Sequence, residues 1–134
     1  SAIANDMYSA ETVGNQISED YTRIDLKFPD RDKFNSDDLE VAVNEIINSK
    51  VPVRIHNWER KRILEHEQMR HTKFMDRIPS TITNLRVVEI VDVDLCPCGG
   101  THVDNTGMLN EMTITNTKSK GAGKLRISYS LNNR

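Results

Sequence analysis

Residues 94–107, DLCPCGGTHVDNTG, hold both cysteines of the chain, Cys96 and Cys98, one of its four histidines, His102, and three of its six glycines. Cys98 and His102 stand in a CxxxH spacing across Gly99 and Gly100. Thiolate and imidazole are both good zinc ligands. A strand that delivers the cysteine, then a glycine turn closed to most side chains, would return the histidine toward the same point. The same spacing also describes a buried cysteine beside a hydrogen-bonded histidine, and spacing alone favours neither. Zinc takes four protein ligands, or three and a water, so this pair leaves the sphere incomplete. Cys96 points the other way if strand geometry persists to it and then reads as a bystander; the alternative is a third ligand. His56, His66 and His71 read as solvated side chains of a charged helix, and His66 and His71 miss the i, i+4 spacing of a ligand pair.

A second group is basic. Lys118, Lys120, Lys124 and Arg126 surround Gly121 and Gly123. They form either a flexible loop suited to phosphates or a hairpin turn with solvated lysines. Arg60, Lys61 and Arg62 are balanced by Glu59, Glu65 and Glu67 and read as a solvated face. Asp92 and Asp94, at i, i+2, share one face if both lie on a strand; one would support a metal ligand or simply enter solvent. No Walker loop, dinucleotide fingerprint or GxSxG is present.

The elements that must position these residues follow from periodicity. Residues 1–9 read as the tail of a helix without a capping signal. Residues 12–17 are extended, broken at Gly14-Asn15. YTRIDLKF alternates as a half-buried strand. Ser36 is the expected N-cap of a helix whose stripe is Leu39, Ala42, Val43, Ile46 and Ile47. VPVRIHNW is a short strand, ERKRILEHEQMRHTKF one charged helix and LRVVEIVDVDL one long strand. MLNEMTITNTK and LRISYSL close the chain as strands. The expected fold is α+β: a mostly antiparallel sheet of five or six strands with two or three helices, as a single domain over 1–134.

Bulk properties agree. The chain has 134 residues, 37% hydrophobic and 28% charged, with a net charge of −2, so bulk charge does not announce nucleic acid and any such contact must be local. No apolar run approaches the about 20 residues of a membrane span, and no membrane partner is expected. Two cysteines in CxC spacing make a poor disulfide framework, which favours a reducing cytoplasmic setting.

Cys98-Gly-Gly-Thr-His102-Val103, followed by Asn105-Thr106-Gly107, resembles the second motif of the editing domain shared by alanyl-tRNA synthetases and free-standing alanyl-tRNA editing proteins. A related second additional domain occurs in threonyl-tRNA synthetases. Gly14-Asn15-Gln16-Ile17, Tyr21 to Leu26, and the hairpin from Lys118 to Ile127 extend the resemblance over nearly the whole chain. It implies an ATP-independent aminoacyl-tRNA hydrolase that clears seryl- or glycyl-tRNA(Ala), with alanine tRNA as partner. It implies a zinc held by Cys98, His102 and an HxxxH pair, which relatives carry just before a segment like SAIANDMYS; these residues are expected to start just after it and to hold zinc weakly. It places Thr12 against the substrate side chain and names no catalytic residue here. Lys118, Lys120, Lys124 and Arg126 would meet tRNA phosphates. Met108-Leu109 depart from the Glu-Ile that commonly follows Asn-Thr-Gly. The alternatives are a degenerate, non-catalytic tRNA- or protein-binding module and a threonyl-type editing domain.

Overall fold

The computed structural model describes residues 1–19 and 21–131. Among these the fold is α+β, with seven strands in two antiparallel sheets and four α-helices. The sheet anticipated as one is therefore two, of four and three strands. The chain divides into two compact units, Ser1–Ser49 with the segment that starts at Leu109, and Lys50–Met108.

The first unit holds α1 (Ala2–Tyr8), β1 (Glu11–Ile17), β2 (Thr22–Lys27), α2 (Ser36–Asn48) and, from the C-terminal segment, β6 (Met112–Gly121) and β7 (Lys124–Leu131). Its sheet runs β1-β2-β7-β6. Alternation decides its faces. Leu26 and Ile24 of β2 lie across from Leu125 and Ile127 of β7, and these residues join Ala4, Phe28 and Leu39 in one apolar core. Tyr8, Phe28 and Phe34 add a ring cluster with centroids 5.3–5.8 Å apart. Arg23, Asp25 and Lys27 point the other way. β1 is continuous through Gly14-Asn15, with a bulge that leaves Val13 unpaired between Thr12 and Gly14.

The cap of α2 is Asn35, not Ser36: Asn35 keeps an extended backbone and its side chain accepts from the Asp38 N–H at 3.0 Å. Asparagine caps as well as serine, so the helix starts one residue earlier. On α2, the Asn44 amide bonds both the N–H and the carbonyl of Met112, and Glu40 accepts from the Ile114 N–H. These bonds cover backbone groups on the edge strand β6. The β6–β7 turn is tight rather than a flexible loop. Ala122 and Gly123 take φ of 51° and 76°, the positive pair a two-residue hairpin requires.

The second unit holds β3 (Val53–Glu59), α3 (Arg60–Glu65), α4 (Thr72–Asp76), β4 (Asn84–Ile90) and β5 (Asp94–Pro97), with sheet order β3-β4-β5. The charged helix expected from Glu59 onward is two short helices. His66 turns extended after α3, and Met69 makes an isolated bridge to Leu95. Apolar anchoring wins over helix propensity here: Ile63, Met75, Val87 and Leu95 form the core, and one straight helix spends too few residues on it. Arg60 is no solvated charge, since its guanidinium donates to the carbonyls of Met75, Ile78, Pro79 and Ile82. The long strand LRVVEIVDVDL is likewise two strands. Asp92 sits in the turn between them at φ 62°, so it shares no strand face with Asp94.

Candidate functional site

Cys98 follows the end of β5, and the β4 backbone sets its position. The Cys98 N–H donates to the Arg86 carbonyl at 3.2 Å, and the Arg86 guanidinium donates back to the Cys98 carbonyl. From there the chain turns through Gly99 and Gly100, and His102 Nε2 comes to 3.4 Å from Cys98 Sγ. The Gly100 N–H also points at Sγ, at 3.4 Å. The turn is not closed to other residues. Neither glycine has a positive φ, and a Cβ on Gly99 would meet nothing within 4 Å. Their smallness leaves the sulfur and the ring approachable, rather than permitting an otherwise forbidden backbone.

The far end of the motif is a clamp. Val51 and Thr106 exchange bonds: the Thr106 N–H donates to the Val51 carbonyl at 2.9 Å, and the Val51 N–H donates to Thr106 Oγ1 at 2.9 Å. Asn105 bridges Pro52, and the Val53 N–H donates to the Asp104 carbonyl. A Cβ on Gly107 would lie 2.7 Å from Lys50 Cγ. Asn105-Thr106-Gly107 thus fastens the segment that carries His102 to the entry of β3.

The pair has the chemistry of metal donors. Partial desolvation, then the Arg86 guanidinium, pulls the His102 pKa below the ordinary histidine value, which favours the neutral ring that binds metal. With zinc–sulfur and zinc–nitrogen bonds of about 2.3 and 2.0–2.1 Å, a tetrahedral site separates the two donors by about 3.5 Å. The observed 3.4 Å fits one edge of that sphere. Among the described residues no third His, Cys, Asp or Glu joins them.

Cys96 is half-buried. Burial first, then Asp94, pushes its thiol up to about 12, and it donates to the Pro97 carbonyl. A thiol held in that form is a poor metal ligand.

The other histidines differ from expectation. They are half-buried on three separate segments and tied to carboxylates. His56 on β3 lies 2.8 Å from Glu89, His66 lies 3.9 Å from the same side chain, and His71 lies 2.9 Å from Asp94. Arg70 also reaches Asp94, at 3.5 Å. Asp94 thus supports His71 rather than the Cys98–His102 pair.

In the first unit, Thr12 pairs with Leu26 and donates its hydroxyl to Ser1 Oγ at 2.8 Å. Arg126, Lys118 and Lys124 stand on the opposite face of the same sheet. Arg126 pairs with Asp25 and Lys118 with Arg126, and Arg126 grips Asp25 through two bonds, at 2.9 and 3.2 Å. Arg23 bonds the same carboxylate at 2.8 Å. Thr12 and the cations are therefore not brought together. Arg86 and Asp25 were missed from sequence. The signal for Arg86 was one arginine inside the apolar run LRVVEI.

Residues 85–128, from β4 into β7, match the family described as threonyl and alanyl tRNA synthetase second additional domain. The chain is 35% identical over 124 residues to an alanyl-tRNA editing protein AlaX-M of Methanosarcina barkeri, covering 91% of this chain and 50% of that protein. It is 30% identical over 132 residues to an AlaX-L of Pyrococcus horikoshii, covering 96% and 30%. It is 33% identical over 105 residues to an alanine–tRNA ligase of Mycoplasmoides gallisepticum, covering 78% and 11%. The chain spans about half the length of the AlaX-M proteins it matches. The Cys98–His102 turn, its Asn105–Gly107 clamp and the β6–β7 turn all fall inside the segment that matches the second additional domain of threonyl and alanyl tRNA synthetases, and the chain is similar over most of its length to alanyl-tRNA editing proteins.

Proposed function

We propose that this chain forms part of a site that edits alanyl-tRNA, hydrolysing the ester of tRNA(Ala) wrongly charged with serine or glycine, in the cytoplasm where tRNA is charged. The reading is carried by the Cys98–His102 pair at 3.4 Å within the segment that matches the editing-domain family. A pocket for alanine rejects serine only modestly, whereas a site that hydrogen-bonds the serine hydroxyl discriminates by roughly 10⁴–10⁵. Thr12 is the proposed reader: its hydroxyl, which donates to Ser1 Oγ at 2.8 Å, would exchange that partner for the seryl hydroxyl.

Cys98 and His102 would hold half of a zinc sphere, and zinc there would supply Lewis acidity or fix the substrate. The chain's own part is to keep that pair set. Arg86 holds the Cys98 main chain from both sides, and partial desolvation first, then Arg86, lowers the pKa of His102, which favours a neutral imidazole beside the sulfur. The tRNA partner would be met by basic residues of the β6–β7 hairpin.

The test is single-turnover hydrolysis of seryl- and alanyl-tRNA(Ala). Seryl-tRNA(Ala) is expected to be cleaved preferentially, with Thr12→Val losing at least tenfold of the preference. Equal cleavage of both by wild type, or a Thr12→Val variant with unchanged preference, overturns the respective assignment.

A further inference from the structure

We propose that the face of the first unit's sheet that carries Arg23, Lys27, Lys118, Lys120, Lys124 and Arg126 docks RNA backbone phosphates at a place remote from the aminoacyl ester. The identity of the RNA as tRNA and the place of the ester beside Thr12 rest on the function proposed above; the placement of the cations on one face does not.

The register builds this face. Lys27 pairs with Lys124, Asp25 with Arg126, and Arg23 with Ser128. Lys118 stands across from Arg126, and Lys120 sits in the bulge before Gly121. Strand alternation puts Arg23, Lys27, Lys118, Lys124 and Arg126 on the side away from Leu26, Leu125 and Ile127, which fill the core, and Lys120 lies near enough to Arg126, Lys118 and Asp25 to feel their charge. Within this patch the carboxylates are Asp25 and, on β1, Glu11 across from Lys27. Asp25 is committed to Arg23 and Arg126. A chain of net charge −2 thus concentrates six cations on one side of one sheet. The crowding is physical: Arg126 first, then Lys118, pulls the Lys120 pKa below its ordinary value. Like charges held together on exposed side chains raise the local potential and attract a polyanion.

Thr12 lies on the other face. It pairs with Leu26, and its hydroxyl reaches Ser1 Oγ, just before α1, whose Ala4 packs in the same core as Leu26. A phosphate on the lysines and an ester beside Thr12 are therefore separated by the sheet itself. An RNA that meets both must extend around its edge, so the cations grip backbone other than that next to the ester.

Binding of an uncharged tRNA(Ala) transcript to the chain would be followed by fluorescence anisotropy between 50 and 200 mM KCl. Four phosphate contacts predict a loss of affinity of roughly 10²-fold across that range, and two contacts roughly tenfold. Lys118→Gln/Lys120→Gln and Lys27→Gln/Lys124→Gln are each expected to flatten the salt dependence in this way while leaving circular dichroism unchanged. Lys61→Gln/Arg77→Gln, the same charge change in the second unit, should leave it as in wild type. Absence of tRNA binding, a salt slope unaltered by both face variants, an equal flattening in the control pair, or binding to phosphatidylserine vesicles in place of tRNA each overturns the proposal. If face variants weaken tRNA binding but seryl-tRNA(Ala) is not hydrolysed, the editing function falls and the docking face stands. Hydrolysis with unaltered binding gives the reverse.

Discussion

Thr106→Val tests how the motif is fastened. Thr106 is 4% exposed, and its Oγ1 is the acceptor for the half-buried Val51 N–H at 2.9 Å. Valine has nearly the same shape but no acceptor, so the substitution leaves a half-buried donor without the Thr106 oxygen. That costs about 1–3 kcal/mol. Serine keeps the oxygen and loses one methyl, about 0.8 kcal/mol by transfer. The valine variant should therefore be the less stable of the two, although it is the better steric match. Trp58, the sole tryptophan, stands on β3 in the same unit, so its fluorescence reports the melting of that unit. At about 2–8 °C per kcal/mol for domains of this size range, Thr106→Val should melt several degrees below wild type, with Thr106→Ser between them. If serine costs as much as valine, the bond to Val51 does not hold the segment and the clamp is misassigned.

Three further outcomes are expected. Gly123→Ala should destabilise by about 1–2 kcal/mol or more in a thermal melt, because Gly123 takes φ 76° and a Cβ there would lie 2.9 Å from the Phe28 carbonyl; Gly99→Ala, with open space and no positive φ, should stay within about 0.5 kcal/mol, and the reverse order would refute both. Asp25, with Arg126 first and Arg23 next as its bonding partners, is held below the usual carboxylate value of 3.8, so its contribution to stability is present above that value and lost as pH falls through the lower folded value. Asp25→Asn should therefore lose stability at pH 7 and show a flatter acid limb in urea titrations between pH 5 and pH 2, and an acid limb as steep as in wild type would contradict the pairing. Limiting iodoacetamide at pH 8 with chelator present should label Cys98 before Cys96, whose thiol lies at about 12, and peptide mass spectrometry showing Cys96 modified first would contradict the burial argument.

Much of the first unit was legible because period and burial agree there. Arg23, Asp25 and Lys27 alternate with Ile24 and Leu26, and only one register buries the apolar set. The second unit hid its shape. Its helices are only six and five residues long, too short for a 3.6-residue period to declare itself. A β-rich run with an aspartate in a left-handed turn reads as one strand, since aspartate is also tolerated on strand ends. The histidines were misjudged for a related reason. Charged neighbours suggested solvent, yet Glu89 and Asp94 are the partners themselves, brought from strands distant in sequence. Cys98 and His102 were legible because their bond is local. Arg86 comes from the neighbouring strand, and nothing in the spacing of DLCPCGGTHVDNTG points to it.

This division between local donors and distant anchors bears on how the site can be studied. The bonds that position Cys98 run through its main chain to Arg86, and those that position the segment beyond His102 run through Thr106 and Asp104 to Val51 and Val53. Neither set uses the Cys98 sulfur or the His102 ring. The donor side chains are thus separable from the scaffold: Cys98→Ser or His102→Asn would remove a proposed ligand and leave the main-chain bonds to Arg86, Val51 and Val53 in place. Arg86 has the opposite character, because its guanidinium holds the Cys98 carbonyl and adds to the desolvation that lowers the His102 pKa. Under the proposed zinc reading, loss of metal with stability retained would belong to the donors, and loss of both together to Arg86.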